Sequence, residues 1–177
     1  MINRPDPLSW SVKSIQLDIL AKNGFSVAKI YKLRDIDDLL SNPEVQYPIF
    51  LRYDAGHDSL GQNYRGPFFS LDELRKSDLD KSIWNRTEHL DGVVALRWID
   101  TRGKDGLYRK YRVFVFGNSV LNGPMFVSSD WFVHGHNQMR NKSADRENER
   151  FMQSSLSDSE KSIFCEINKV LQLDFSA

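Results

Sequence analysis

From residue 91 to residue 127 the chain is rich in β-branched and aromatic residues and is broken twice by turn-forming residues, a β pattern that argues against an all-helical fold. Residues 92–100 (GVVALRWID), 107–116 (LYRKYRVFVF) and 119–127 read as strands, with turns at 102–106 and at Gly117-Asn118. The expected arrangement is an antiparallel trio. Along the middle strand Leu107, Arg109, Tyr111, Val113 and Val115 share one face, while Tyr108, Lys110, Arg112, Phe114 and Phe116 share the other. Close cations on one short strand repel unless an anion or carboxylates meet them, so Lys110 and Arg112 are candidates for receiving an anionic ligand.

Helices flank these strands. Ser9 or Ser11 can cap a helix whose apolar residues Val12, Ile15, Ile19 and Leu20 fall on one side, and Gly24 suits its C′ position. Residues 25–33 alternate as a short strand, and residues 35–41 form an acidic-first helical turn with Leu39 and Leu40 inward. Residues 47–53 (YPIFLRY) are rich in aromatic and branched side chains, with Pro48 where a strand start tolerates it. Gly56, Gly61 and Gly66 then punctuate residues 54–69, a long loop or loose hairpin. Ser70 with Glu73, and Ser157 with Glu160, make capping boxes; the second opens an amphipathic helix carrying Ile163, Phe164, Ile167, Val170 and Leu171. The last residues, LQLDFSA, read as a helix end followed by the opening of a strand.

Composition narrows the function classes. The 24 basic and 24 acidic residues cancel, which argues against general nucleic-acid binding, where a basic footprint neutralises phosphates. No apolar run approaches the ~18 residues of a membrane span, and residues 1–10 lack the apolar core of a signal peptide. Cys165 is the single cysteine; it reads as a buried core side chain, and with no internal disulfide a reducing, cytoplasmic setting is expected.

The order of a strand ending in a cation, a glycine-rich loop, a capped helix and an antiparallel trio near a basic cluster resembles the ATP-grasp superfamily, specifically the glutathione-synthetase-like and RimK-like ligases. The resemblance covers residues 46–177, with residues 1–45 similar to the small β/α segment that precedes the ATP-binding lobes. It implies an α+β fold of antiparallel sheets packed with helices: a lid-like subdomain at 46–90 and a C-terminal subdomain at 91–177. It implies ATP as the ligand, Arg52 as a phosphate-facing cation, and residues 55–66 (AGHDSLGQNYRG) as a flap in which Gly56, His57 and Gly61 approach phosphate. It also implies Trp98 and Ile99 as adenine walls, Asp100 at the ribose, and Arg112, helped by Lys110, at the transferred phosphoryl group or carboxylate substrate. Plainer readings stand beside these: Arg52 serves equally in a surface ion pair, the flap glycines and His57 as ordinary loop residues, and Trp98 as core.

Such ligases join a carboxylate to an amine or thiol through an acyl phosphate, with Mg²⁺ held by carboxylates on strands that follow the last helix. Here Asp174 is not at the metal position and Glu166 and Asn168 lie on the helix, so the chain as given is expected to be catalytically incomplete: a degenerate member, or a fragment whose remainder is elsewhere. Missing strands leave an open sheet edge, which predicts a homodimer or a partner chain. The alternative is a noncatalytic module holding an anionic ligand or protein partner. His134 and His136 begin an H-x-H metal pattern but lack a third ligand.

Overall fold

The computed structural model describes residues 12–33, 36–54, 64–77 and 93–176. The chain divides between Ile99 and Asp100 into two compact units, each built on its own antiparallel sheet.

The N-terminal unit holds strands β1 (Ile30–Leu33), β2 (Ile49–Tyr53), β3 (Tyr64–Phe68) and β4 (Val93–Arg97), in the order β1-β4-β2-β3. Val93, Val94, Ala95 and Leu96 are all buried, so both faces of β4 are covered, as its unbroken apolar run requires. One face of the sheet forms the core with Tyr31, Leu33, Ile49, Leu51 and Phe68; Leu39 of helix α2 (Ile36–Ser41) and Leu74 of helix α3 (Leu71–Lys76) close it.

The expected antiparallel trio does not form. The strand at 93–97 pairs with β1 and β2, and not with the strand at 108–116. Four consecutive apolar residues are best buried in the middle of a sheet, whereas Arg109 and Lys110 of the next strand need access to water or to carboxylates.

Helix α1 (Lys13–Lys22) has Val12 at its N-cap, with no side-chain capping bond; the expected caps Ser9 and Ser11 lie outside the described residues. Asp54, just past β2, supplies acceptors to the helix start. Its carbonyl accepts from Lys13 N at 3.0 Å, Oδ1 accepts from Ser14 N at 2.7 Å and Oδ2 from Ser14 Oγ at 2.5 Å. The buried carboxylate thereby satisfies the helix's orphan amides and complements its dipole. Gly24, at φ +84°, ends α1 as expected: its amide bonds Ala21 O and that of Phe25 bonds Leu20 O. Because Phe25 is still completing this helix end, the expected strand over 25–33 forms only from Ile30.

The glycine-rich stretch resolves in part into structure. Tyr64–Phe68 is β3, antiparallel to β2 across a bulge between Ile49 and Leu51. Gly66 sits there at φ +117°, where a Cβ would meet Ile49 O at 3.1 Å and Phe50 Cα at 3.2 Å; it is a strand residue chosen for close backbone approach. Ser70 accepts from Glu73 N at 3.1 Å, and Glu73 Oε2 reaches the amide of Phe69 at 2.7 Å.

The C-terminal unit orders its strands β6-β5-β7, with β5 at Tyr108–Phe116, β6 at Ser119–Ser128 and β7 at Phe175–Ser176. A two-residue turn with Gly117 at φ +55° joins β5 to β6. Tyr111 pairs with Met125 and Val113 with Asn122, so β6 carries one extra residue there. Helix α4 (Lys142–Gln153) lays Ala144 and Phe151 on Met125, Val127 and Leu107. Asn141 caps it, accepting from Ser143 N and Ala144 N at 3.0 Å each. Helix α5 (Asp158–Val170) opens with the expected Ser157–Glu160 box. It ends with Gln172 at φ 55°, which turns the chain into β7. The expected strand opening is present: Phe175 pairs with Phe116 and Ser176 with Val115. The face of α5 is covered less than its pattern suggests, since Ile163 is 52% exposed and Cys165 is half-buried rather than core. No helix among the described residues is long and apolar enough to cross a membrane.

Removing the distant cap tests how far α1 depends on the sheet. Asp54→Ala leaves the Ser14 hydroxyl and the Ser14 amide without their acceptors, while the backbone carbonyl still accepts from Lys13 N, and is expected to cost about 2 kcal/mol; urea denaturation of the variant beside the parent chain measures it.

Candidate functional site

Two cations on β5 stand out because of what their neighbour on the opposite face has and they lack. Arg109 donates through Nε to Glu147 Oε1 at 2.6 Å and through Nη2 to Asp105 Oδ2 at 2.7 Å. Hydrogen bonds donated to both carboxylates hold its guanidinium above its already high ordinary value, and the same contact lowers Asp105 to about 2. That face of β5 is electrostatically closed. On the other face, Lys110 and Arg112 have no carboxylate partner among the described residues. Arg112 packs its guanidinium 5.1 Å from the Phe126 ring centre. Lys110 is exposed, yet partial desolvation and the adjoining Arg112 charge hold its amine below the ordinary lysine value.

Gly123 on β6 keeps this face continuous. A Cβ there would lie 2.6 Å from the Phe114 ring and 3.2 Å from Arg112 Cβ. The glycine therefore lets Arg112 and Phe114 lie side by side on the face that also bears Lys110. Neither Gly123 nor Phe126 was legible as part of a site, because the extra residue in β6 decides which face they take and sets Phe126 opposite Lys110.

Asp100 is already engaged. Arg102 Nε donates to both its oxygens at 3.0 Å and Nη2 to Oδ2 at 2.5 Å, and these bonds lower the Asp100 carboxyl below its usual range. Arg102 in turn lies 5.9 Å from the centre of the Tyr108 ring, bringing the Asp100–Arg102 pair beside the start of β5.

The remaining candidates lie in the N-terminal unit. Arg52 is 9% exposed; its Nε donates to Tyr53 O at 2.9 Å and its guanidinium sits 5.0 Å from the Tyr64 ring centre. Trp98 is buried edge-to-face against Phe69 at 5.6 Å, its amide donating to Pro48 O at 2.9 Å. Arg52 and Trp98 thus mark opposite ends of β2. Ile99 is exposed. Gly56, His57 and Gly61 lie outside the described residues. His134 and His136 approach through their Nδ1 atoms at 2.9 Å, and no group of three His, Cys, Asp or Glu among the described residues can hold a metal ion.

The fold has known counterparts. No family model matches the chain, and no curated protein matches its sequence. Solved structures do match. The ATP-grasp ligase PsnB complexed with a minimal precursor aligns with 98% of this chain and 47% of its own, at TM-score 0.53 and 14% identity. L-amino acid ligase from Bacillus licheniformis aligns with 93% of this chain and 37% of its own, at TM-score 0.52 and 12% identity. Carboxyaminoimidazole ribonucleotide synthase from Aspergillus clavatus, complexed with ATP, aligns with 96% of this chain and 39% of its own, at TM-score 0.50 and 13% identity. The chain has the α+β architecture of the ATP-grasp ligases and spans less than half the length of each of these structures.

The Arg109 clamp makes a titration prediction. Because Asp105 is depressed in the folded state, its contribution to stability is present above the ordinary aspartate value of about 3.9 and is lost as pH falls toward about 2. Arg109→Ala is expected to return the Asp105 midpoint toward the ordinary value, read from the pH dependence of its side-chain carboxyl carbon by NMR.

Proposed function

We propose that this chain is an ATP-binding part of an ATP-grasp-type ligase and that Lys110 and Arg112 receive the nucleotide's phosphates. The observation that carries the reading is the cation pair itself: two adjacent positive groups on one face of β5, mutually repelling, with no carboxylate beside them among the described residues. An anionic ligand removes that repulsion. Arg112 offers a planar fork suited to bidentate contact with a phosphate or carboxylate, and Lys110 adds a compact point charge. Partial desolvation strengthens both contacts relative to bulk water. Two of the structurally similar proteins were solved with nucleotide, PsnB with Mg and ADP and the Aspergillus synthase with ATP, which supports choosing a nucleotide among anions.

Magnesium is a different matter. The described residues provide no cluster of three carboxylates, histidines or cysteines, so the metal that the ligase reaction uses does not fit the donor set described here, and no catalytic step is derived through it. The second reading is a module that binds anions without catalysing ligation. Arg52 belongs to the other unit, already has a carbonyl and a ring to hold it, and is tested separately.

Calorimetry with ATP, with and without Mg²⁺, separates the readings. Arg112→Ala and Lys110→Ala are each expected to weaken ATP binding roughly ten- to a hundredfold, the value of a charge-assisted hydrogen bond. ATP should also raise the Lys110 amine toward its ordinary value, visible in NMR titration of its side-chain carbons. Unchanged affinity in both variants discards the site; affinity that ignores Mg²⁺ favours the noncatalytic module. Arg52→Ala with unaltered ATP affinity removes Arg52 from the nucleotide reading.

A further inference from the structure

The histidine pair that follows β6 takes no part in the nucleotide reading. A single 3-10 turn, Gly135–Asn137, brings His134 and His136 together. Asn137 braces the turn: its Oδ1 accepts from His134 N at 2.7 Å and its Nδ2 donates to Phe132 O at 2.6 Å. Met139 N donates to Val127 O at 2.7 Å, which ties the loop to β6. The His134 ring lies nearly parallel to that of Phe132, with 6.1 Å between centres and 10° between planes, and Trp131 meets Phe132 edge-on at 6.0 Å. His134 is half-buried beside these rings and His136 is exposed.

The two imidazoles meet through their Nδ1 atoms, 2.9 Å apart. That distance suits a shared proton and a shared ion equally, but the placement of the rings separates the two. A straight N–H···N bond of this length sets the ring centres about 5.2 Å apart, since each centre lies behind its nitrogen. Two nitrogens held at right angles on one ion, each at about 2.0–2.1 Å, stand about 2.9 Å apart with their ring centres about 4.5 Å apart. The observed centres are 4.7 Å apart, nearer the second arrangement. A tetrahedral ion spreads the nitrogens to about 3.3 Å.

We propose that His134 and His136 form a bidentate site for a late divalent transition metal of right-angled coordination, Ni²⁺ or Cu²⁺, bound through both Nδ1 atoms. Imidazole nitrogen suits these ions, and the remaining coordination positions, on the exposed His136 side, go to water. The ion takes the place of the shared proton, which the ring that held it then carries on Nε2. Because the turn, Asn137 and Phe132 already hold the loop and the His134 ring, little ordering is left to oppose binding. Mg²⁺ takes oxygen ligands and has no use for this pair, so the site is independent of the nucleotide reading and of the metal that accompanies it.

The test uses the full chain, freed of metal with a chelator, and titrates it with nickel chloride, copper sulfate and zinc chloride by calorimetry. His136→Ala changes an exposed position, and His134→Phe keeps a ring against Phe132. Each is expected to weaken Ni²⁺ binding at least tenfold, toward the level of the double variant, which measures the background from His57 and His89. With one equivalent of Cu²⁺, the electron paramagnetic resonance spectrum of the parent chain is expected to show coupling to two ring nitrogens, and that of each variant to one. Ni²⁺ affinity that stays within twofold of the parent in either variant overturns the chelate, as does coupling to a single nitrogen in the parent itself. Zn²⁺ binding more tightly than both Ni²⁺ and Cu²⁺ overturns the right-angled assignment.

Discussion

The pairing of β5 with β6 decides what the C-terminal unit can be. With only Gly117 and Asn118 between them, the two strands have no freedom to slip, since a shift of one residue would exchange their faces. The observed register puts Met125 and Val127 under α4 and leaves Leu121 and Phe126 on the opposite face. The extra residue of β6 falls beside Gly123, where a side chain would collide with Phe114. Bulge and glycine therefore act together: the bulge re-aims the strand, and the missing Cβ lets an arginine and a phenylalanine share the space.

That register also sorts the charges. Arg109 projects toward α4, finds Glu147 there and Asp105 in the preceding turn, and becomes a structural clamp between loop, strand and helix. Lys110 and Arg112 project the other way, where neither α4 nor the 100–106 turn offers them a carboxylate. Neighbouring residues of one strand thus have opposite electrostatic fates solely because the side-chain period is two. A helix carrying acidic residues covers one side only, and on the other no carboxylate among the described residues pairs with the two cations.

Much of this was legible in the sequence where the responsible groups are close along the chain. The Ser157–Glu160 box, the Gly24 helix end, the Gly117-Asn118 hairpin and the strand opening at Phe175 all rest on residues within a few positions of one another. What was not legible involves distant partners. Asp54 caps a helix whose first residue lies about forty positions earlier, and no local pattern announces it. Residues 93–97 looked like the first member of a local trio, yet their two-sided burial is decided by β1 and β2. That Lys110 and Arg112 share a face could be read from spacing, whereas their lack of a carboxylate partner among the described residues depends on where α4 packs. Trp98 was readable as adenine wall or as core; its contact with Phe69 and its amide bond to Pro48 O give it a structural role, independent of any ligand.

Sharing an architecture at 12–14% identity means that the fold persists while most side chains differ, and a fold does not fix a ligand. Identity of the ligand has to come from local chemistry. With 24 positive and 24 negative side chains the molecule has no net charge to draw an anion from afar, and at physiological salt a field decays over about 8 Å. Under the proposed reading of Lys110 and Arg112, attraction at this face is accordingly a matter of contact: an anion gains from the two cations only when its charge lies against them.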